Sequence, residues 1–173
     1  MSQTPASDLL RADHRLVEAQ IDPLLEAAKH PGADFLAQVR RALSSIQELS
    51  RSHFQKEEEV LYPFLRPRWP DLLAQLDEQH DYAREVERHL EELLASLSGL
   101  PDERQTAELV RFSIELCDVL QHHIVEEEDQ LLRLADEHLS QAEQAALASR
   151  MKQLQEVSAF HSDLERSDGE QSL

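Results

Sequence analysis

The chain has 173 residues, of which 35 are Asp or Glu and 17 are Lys or Arg, for a formal charge of −18. That length suits one domain with a sizeable core, and so acidic a chain is repelled by phosphate backbones and anionic bilayers, so neither nucleic acid nor a membrane is an expected partner. Three glycines and 5% aromatic residues favour helices over sheets, and the single Cys117 excludes an internal disulfide and any thiolate metal cluster within one chain.

Proline and glycine divide the chain into long segments. The first helix is expected from about Ser7 to Lys29, ending at His30-Pro31-Gly32, with Pro23 kinking it. Its apolar stripe of Leu10, Val17, Ile21 and Leu24 contains His14. The second helix runs from about Asp34 to Leu65, and His53 shares a row with Ile46, Leu49, Glu57, Val60 and Phe64. The third runs from about Asp71 to Leu97, with His80 among Leu73, Leu76, Ala83, Leu90 and Leu94. The fourth runs from about Asp102 to Asp136, with His123 among Leu116, Val119, Leu120, Glu127 and Leu134. Short connections make neighbours antiparallel, so residues 6–137 are expected to form an all-α, up-down-up-down four-helix bundle. A further helix within 138–162 packs on the bundle or forms a dimer contact, leaving monomer and homodimer both open. Residues 163–173 are polar and read as a disordered tail. Met1 to Pro5 lacks a basic region followed by an apolar run, and no run of about 18 apolar residues occurs, so a cytoplasmic chain is expected.

A duplication links the second and fourth helices. His53, Glu57, Glu58 and Leu61 lie at the same offsets as His123, Glu127, Glu128 and Leu131. The row of the neighbouring His122 holds Glu115, Asp118, Glu126 and Asp129, a solvated face, so periodicity and duplication both select His123 and Glu127. His30, His89, His138 and His161 fit no such row and read as surface or capping residues. Four histidines and two carboxylates thus fall inside apolar stripes. Buried carboxylates beside imidazoles need a compensating charge, and a metal cation supplies it. The expected ligands are His14, His53, Glu57, His80, His123 and Glu127. Six nitrogen and oxygen donors without a thiolate suit iron, manganese or zinc, and they are too many for one tetrahedral ion. Glu58 and Glu128, one residue on, either are solvated or orient an imidazole through its second nitrogen. Tyr62 and Tyr82 lie near the motifs and are candidates for a proton and electron route in an enzyme, with packing as the favoured reading. Arg84 reads as a partner of carboxylates such as Glu58 or Glu87, or as a cation over an open ligand position. Cys117 shares its row with Val110, Ile114, Leu120 and Ile124 and reads as a buried thiol.

The sequence resembles the hemerythrin-like family, the HHE cation-binding domains. The resemblance spans about residues 8 to 136. It rests on His14, on His53-x-x-x-Glu57-Glu58-x-x-Leu61-Tyr62-Pro63, on His80, and on His123-x-x-x-Glu127-Glu128-x-x-Leu131. It implies a non-haem centre of two iron ions inside a four-helix bundle, with the four histidines as terminal ligands and Glu57 and Glu127 as bridges. The O2-carrying members place a second histidine where this chain has Arg84, and use His-x-x-x-x-Asp where it has His-x-x-x-Glu. Those departures resemble the branches linked to iron–sulfur repair and iron sensing. The implied function is binding or sensing of O2, NO or peroxide. The alternatives are a di-iron oxidoreductase that turns over peroxide or NO, or donates iron in iron–sulfur repair, and a structural bundle without metal.

Overall fold

The computed structural model describes the backbone of residues 4–169 and the side chains through residue 155. Every regular element among them is helical, and the described residues form five helices. Helix α1 is Ala6–Lys29, and it continues through Pro23, whose ring faces outward. Helix α2 covers residues 35–65 in three parts: α-helical Phe35–Lys56, a π-helical turn Glu57–Leu61, and α-helical Tyr62–Leu65. Helix α3 is Pro70–Ser96, with proline at its first position, where the missing N–H costs nothing. Helix α4 covers 103–138 and repeats the pattern of α2: Glu103–Glu126, a π-helical Glu127–Leu132, and Arg133–His138. Asp102 caps it, accepting from the Gln105 backbone while the Gln105 side chain accepts from Asp102 N–H. Helix α5 is Gln141–Gly169.

The bundle is a ring in which α1 packs along α2 and α4, and α3 along α4, while α2 and α3 meet over only a short stretch. Two apolar clusters fill it. One contains Val17, Ile21, Val39, Ile46, Val86, Leu90 and Leu116; the other contains Leu10, Leu61, Leu65, Leu73, Leu76, Leu131 and Leu132. Leu147, Ala148 and Met151 of α5 belong to the second cluster, so α5 closes that end of the same chain's bundle. The four stripe histidines lie between the clusters, each with apolar neighbours from both along its helix.

The structure departs from strict α periodicity at two equivalent places. Each π turn starts at the motif glutamate and inserts one residue into the repeat. Beyond it the inward register moves on by one. Leu65 and Ala135 are buried, whereas Phe64 is 37% exposed and Leu134 is only half-buried. The expected inward placement of Phe64 and Leu134 is therefore corrected. Helix α5 also runs on past residue 162, so the backbone of residues 163–169, expected as a disordered tail, is helical. Polarity alone does not end a helix of Glu, Leu and Arg that meets no glycine before Gly169. Residues 170–173 of that expected tail lie outside the described residues. Among the described residues no helix is long and apolar enough to cross a membrane.

Candidate metal centre

His14, His53, Glu57, His80, His123 and Glu127 are all buried and converge between the two apolar clusters. They form two groups that share Glu57. His14, His53, Glu57 and Glu127 make one, and Glu57, His80 and His123 make the other; within each, one donor atom per residue lies within 4.8 Å of the rest.

The ring orientations follow from what holds each outer nitrogen. His14 Nδ1 donates to Glu128 Oε1 at 3.0 Å, and His80 Nδ1 donates to Glu58 Oε1 at 2.8 Å. A carboxylate only accepts, so each Nδ1 carries the proton and each Nε2 presents a lone pair to the centre. Arg15 holds Glu128 at 3.0 Å and Arg84 holds Glu58 at 2.7 Å. His123 Nδ1 donates to Gln79 Oε1 at 3.1 Å, and the Gln79 amide donates in turn to Glu126. His53 Nδ1 points at Asp13 Oδ2 from 3.6 Å, and that oxygen is taken by the buried Lys56 ammonium at 2.6 Å.

Inside, His14 Nε2 faces His53 Nε2 at 3.2 Å, and His80 Nε2 faces His123 Nε2 at 3.3 Å. His14 Nε2 stands 3.0 Å from Glu127 Oε2, His53 Nε2 3.3 Å from Glu57 Oε1, and His80 Nε2 3.1 Å from Glu57 Oε2. Lone pairs turned towards one another and towards carboxylate oxygens are compatible only with a cation or a shared proton among them. Donors each about 2.1 Å from one ion stand roughly 3.0–3.4 Å apart, so the observed spacings fit a metal between each histidine pair. Glu57 Oε1 and Glu127 Oε1 are buried with no hydrogen-bond partner, an expensive state that an ion would relieve.

The electrostatics of the buried groups point the same way. Burial pushes the Glu57 carboxyl well up, and the charge of adjacent Glu127 pushes it further, so without a cation the two carboxyls share a proton. Burial would lower His53, but Asp13 and Glu127 overcome it and the net shift is upward. Burial drives His123 down to about 3, and the neighbouring histidines add to the effect.

Sequence reasoning missed three parts of this arrangement. The first is the place of Tyr62, for which the sequence favours packing over a role in a proton and electron route. Its hydroxyl donates to Glu57 Oε2 at 3.4 Å and lies 3.3 Å from His80 Nε2, fully inside the centre. The α repeat places Leu61 over Glu57, while the π turn brings residue i+5 there. The second and third are the outer acceptors, Asp13 with its anchor Lys56 and Gln79 with its anchor Glu126. The available signal was positional: Asp13 and Gln79 each precede a stripe histidine, and Lys56 and Glu126 each follow a motif histidine by three.

The other candidates lie elsewhere. His122 is exposed beside Glu126, His30 pairs with Glu26 at 3.5 Å, His89 stacks on Phe112 and His138 on Trp69. The side chain of His161 lies outside the described residues. Tyr82 is half-exposed and donates to Glu115. Arg84 is engaged by Glu58 and Asp81. Buried Cys117 donates weakly to the Ile21 carbonyl, and burial raises its thiol to about 12.

The family model described as the Hemerythrin HHE cation binding domain matches residues 6–135. No curated protein matches the chain.

Proposed function

The chain belongs to the hemerythrin HHE cation-binding domain family, and from that premise we propose that it is a non-haem di-iron protein that binds or senses a small ligand such as O2, NO or peroxide. The observation that carries the proposal is the pair of inward-facing histidine couples beside two buried carboxylates, each with one oxygen that has no hydrogen-bond partner. His14 and His53 would hold one ion, His80 and His123 the other, with Glu57 and Glu127 shared between them. Neutral imidazoles and carboxylates without thiolates suit iron, with manganese or zinc as possible substitutes. When bound, iron supplies a redox-active centre with positions open to a small ligand.

The protein's own contribution is preorganisation. Glu58, Glu128 and Gln79 fix three imidazoles with Nδ1 protonated and Nε2 free, so binding requires no tautomer change. The two apolar clusters shield the centre from bulk water. Burial and the charges of Glu57 and Glu127 hold Tyr62 well above its ordinary pKa, so it stays a proton donor within the site. That buried phenol favours, as a second reading, an oxidoreductase that turns over peroxide or NO. Residues 6–137 would be the ion-holding unit, and a cytoplasmic setting fits the single reduced Cys117.

Metal analysis and an optical spectrum of anaerobically purified protein, before and after air, test the proposal. Iron with a charge-transfer band that appears in air and reverses on deoxygenation supports ligand binding, and an irreversible band supports turnover or sensing. Protein that purifies with zinc and takes up no iron contradicts both.

A further inference from the structure

The seam where α2 and α3 separate contains a cavity of about 330 Å³, lined by Ser50, Arg51, Phe54, Arg84, Glu87 and Glu91 among others. A second cavity along the same seam, about 540 Å³, shares Glu91 with it and extends it towards the far end of the bundle. Two side chains in the first are more than nine-tenths buried and carry a polar atom with no hydrogen-bond partner, Ser50 Oγ and Glu87 Oε1. Neither touches the metal-centre residues through any hydrogen bond, and neither is used by the function proposed above.

The inner wall is Phe54. Its ring stacks on His80 at 3.8 Å between centroids and meets His123 edge-on at 5.6 Å. Arg84 lies 5.3 Å over the same ring and reaches Glu58, the carboxylate that holds His80. One aromatic ring thus separates the seam cavity from the second histidine couple.

Ser50 Oγ and Glu87 Oε1 are buried without a well-formed hydrogen bond, although Ser50 lies near enough to pull on the Glu87 carboxyl, and a guest that hydrogen-bonds to both relieves the cost. The guest has to donate and accept. An apolar gas does neither usefully, and an apolar lining would serve it better. Burial lifts Glu87 to about 7 against the opposing pull of Ser50, Arg84 and Arg51, so near neutrality it is available in both its accepting and its donating form.

We propose that this seam cavity is a binding vestibule for a small uncharged molecule that both donates and accepts hydrogen bonds, of which hydrogen peroxide is the probe, held by Ser50 and Glu87 and separated from the paired centre by Phe54. The proposal rests on the di-iron reading and narrows its ligand from gases to hydrogen-bonding molecules.

The test uses the whole chain loaded with zinc and isotope-labelled at the glutamate carboxyl carbons. The Glu87 resonance is identified by its loss in Glu87→Gln. On addition of hydrogen peroxide that resonance is expected to move saturably while exposed glutamates stay still. No movement, or one shared by all glutamates, means that the cavity holds water only and overturns the proposal. In a second arm, Ser50→Leu removes the hydroxyl and narrows the cavity with an apolar side chain. At unchanged iron content it is expected to slow the peroxide-driven optical change of the iron-loaded protein by about tenfold or more, as a blocked approach path does. An unchanged rate also overturns it. If neither zinc nor iron binds, the di-iron reading fails, and the resonance measured on the metal-free chain still decides whether the cavity takes peroxide.

Discussion

In the half of the centre built by His14 and His53, the residue before the α1 histidine is Asp13, anchored by Lys56 at 2.6 Å. In the half built by His80 and His123, the residue before the α3 histidine is Gln79, anchored by Glu126. The positions match and the chemistry is inverted: an acid held by a base on one side, an amide held by an acid on the other. The outer carboxylates Glu128 and Glu58 are by contrast the same on both sides, each holding its histidine and held by an arginine. The halves also differ inside, because Tyr62 follows Glu57 by five residues where Leu132 follows Glu127. The duplication thus preserved the geometry that aims the imidazoles and let their electrostatic surroundings diverge. His53 is shifted up and His123 down to about 3 accordingly.

The largest expected effect concerns Glu57, which belongs to both donor groups. Glu57→Ala should bring metal content from about two ions per chain to near zero, while His123→Ala should leave about one, because only one half loses a ligand. Equal losses in the two variants, measured by elemental analysis after dialysis, would show that the halves do not bind separately.

The outer acceptors break the comparison in a second way. Asp13→Ala strands a buried ammonium on Lys56, and should cost about 3–5 kcal/mol in chemical denaturation. Gln79→Ala removes one neutral acceptor from His123 and should cost about 1–2 kcal/mol. Equal costs would mean that the Asp13–Lys56 pair is worth no more than the amide.

A pH titration separates the centre from the buried carboxyl outside it. Glu87 is raised from its ordinary 4.5 to about 7, so the native state holds its proton more tightly than the unfolded chain. Its contribution is fully present below pH 4.5 and is lost as pH rises through 7, a decline on the order of 3 kcal/mol in metal-free protein. Glu87→Gln should flatten that decline in urea-denaturation curves. Metal affinity runs in the opposite sense, falling as pH drops and the imidazoles and carboxylates take up protons. A decline that persists in Glu87→Gln would assign it to the centre.

The smallest effect is expected from Tyr62→Phe. It removes a long hydrogen bond to Glu57 and should change stability by about 1 kcal/mol or less while leaving metal content intact. The optical spectrum of the iron-loaded protein should shift, since the hydroxyl sits within the second half. An unchanged spectrum would return Tyr62 to a packing role.

The sequence carried the four bundle helices and the six inward donors because both rest on the 3.6-residue repeat, and His123 separated from His122 on that repeat alone. It misplaced Phe64 and Leu134 for the same reason. A π turn adds one residue without any proline or glycine to mark it, and the inward positions beyond each turn, Leu65 for Phe64 and Ala135 for Leu134, move on by one. Tyr62 was hidden by that shift. Asp13, Lys56 and Gln79 were hidden differently. Each is polar and lies next to the apolar stripe, where a solvated residue is the ordinary expectation, and only the approach of another helix turns it inward.

The most direct measurement of the central claim is iron per chain together with the optical spectrum, on anaerobically purified wild type and Glu57→Ala side by side. Two irons with an air-induced band in the wild type, and neither in the variant, is the predicted result. Equal iron in both proteins, or a wild type that takes up none, would contradict a paired iron centre bridged by Glu57.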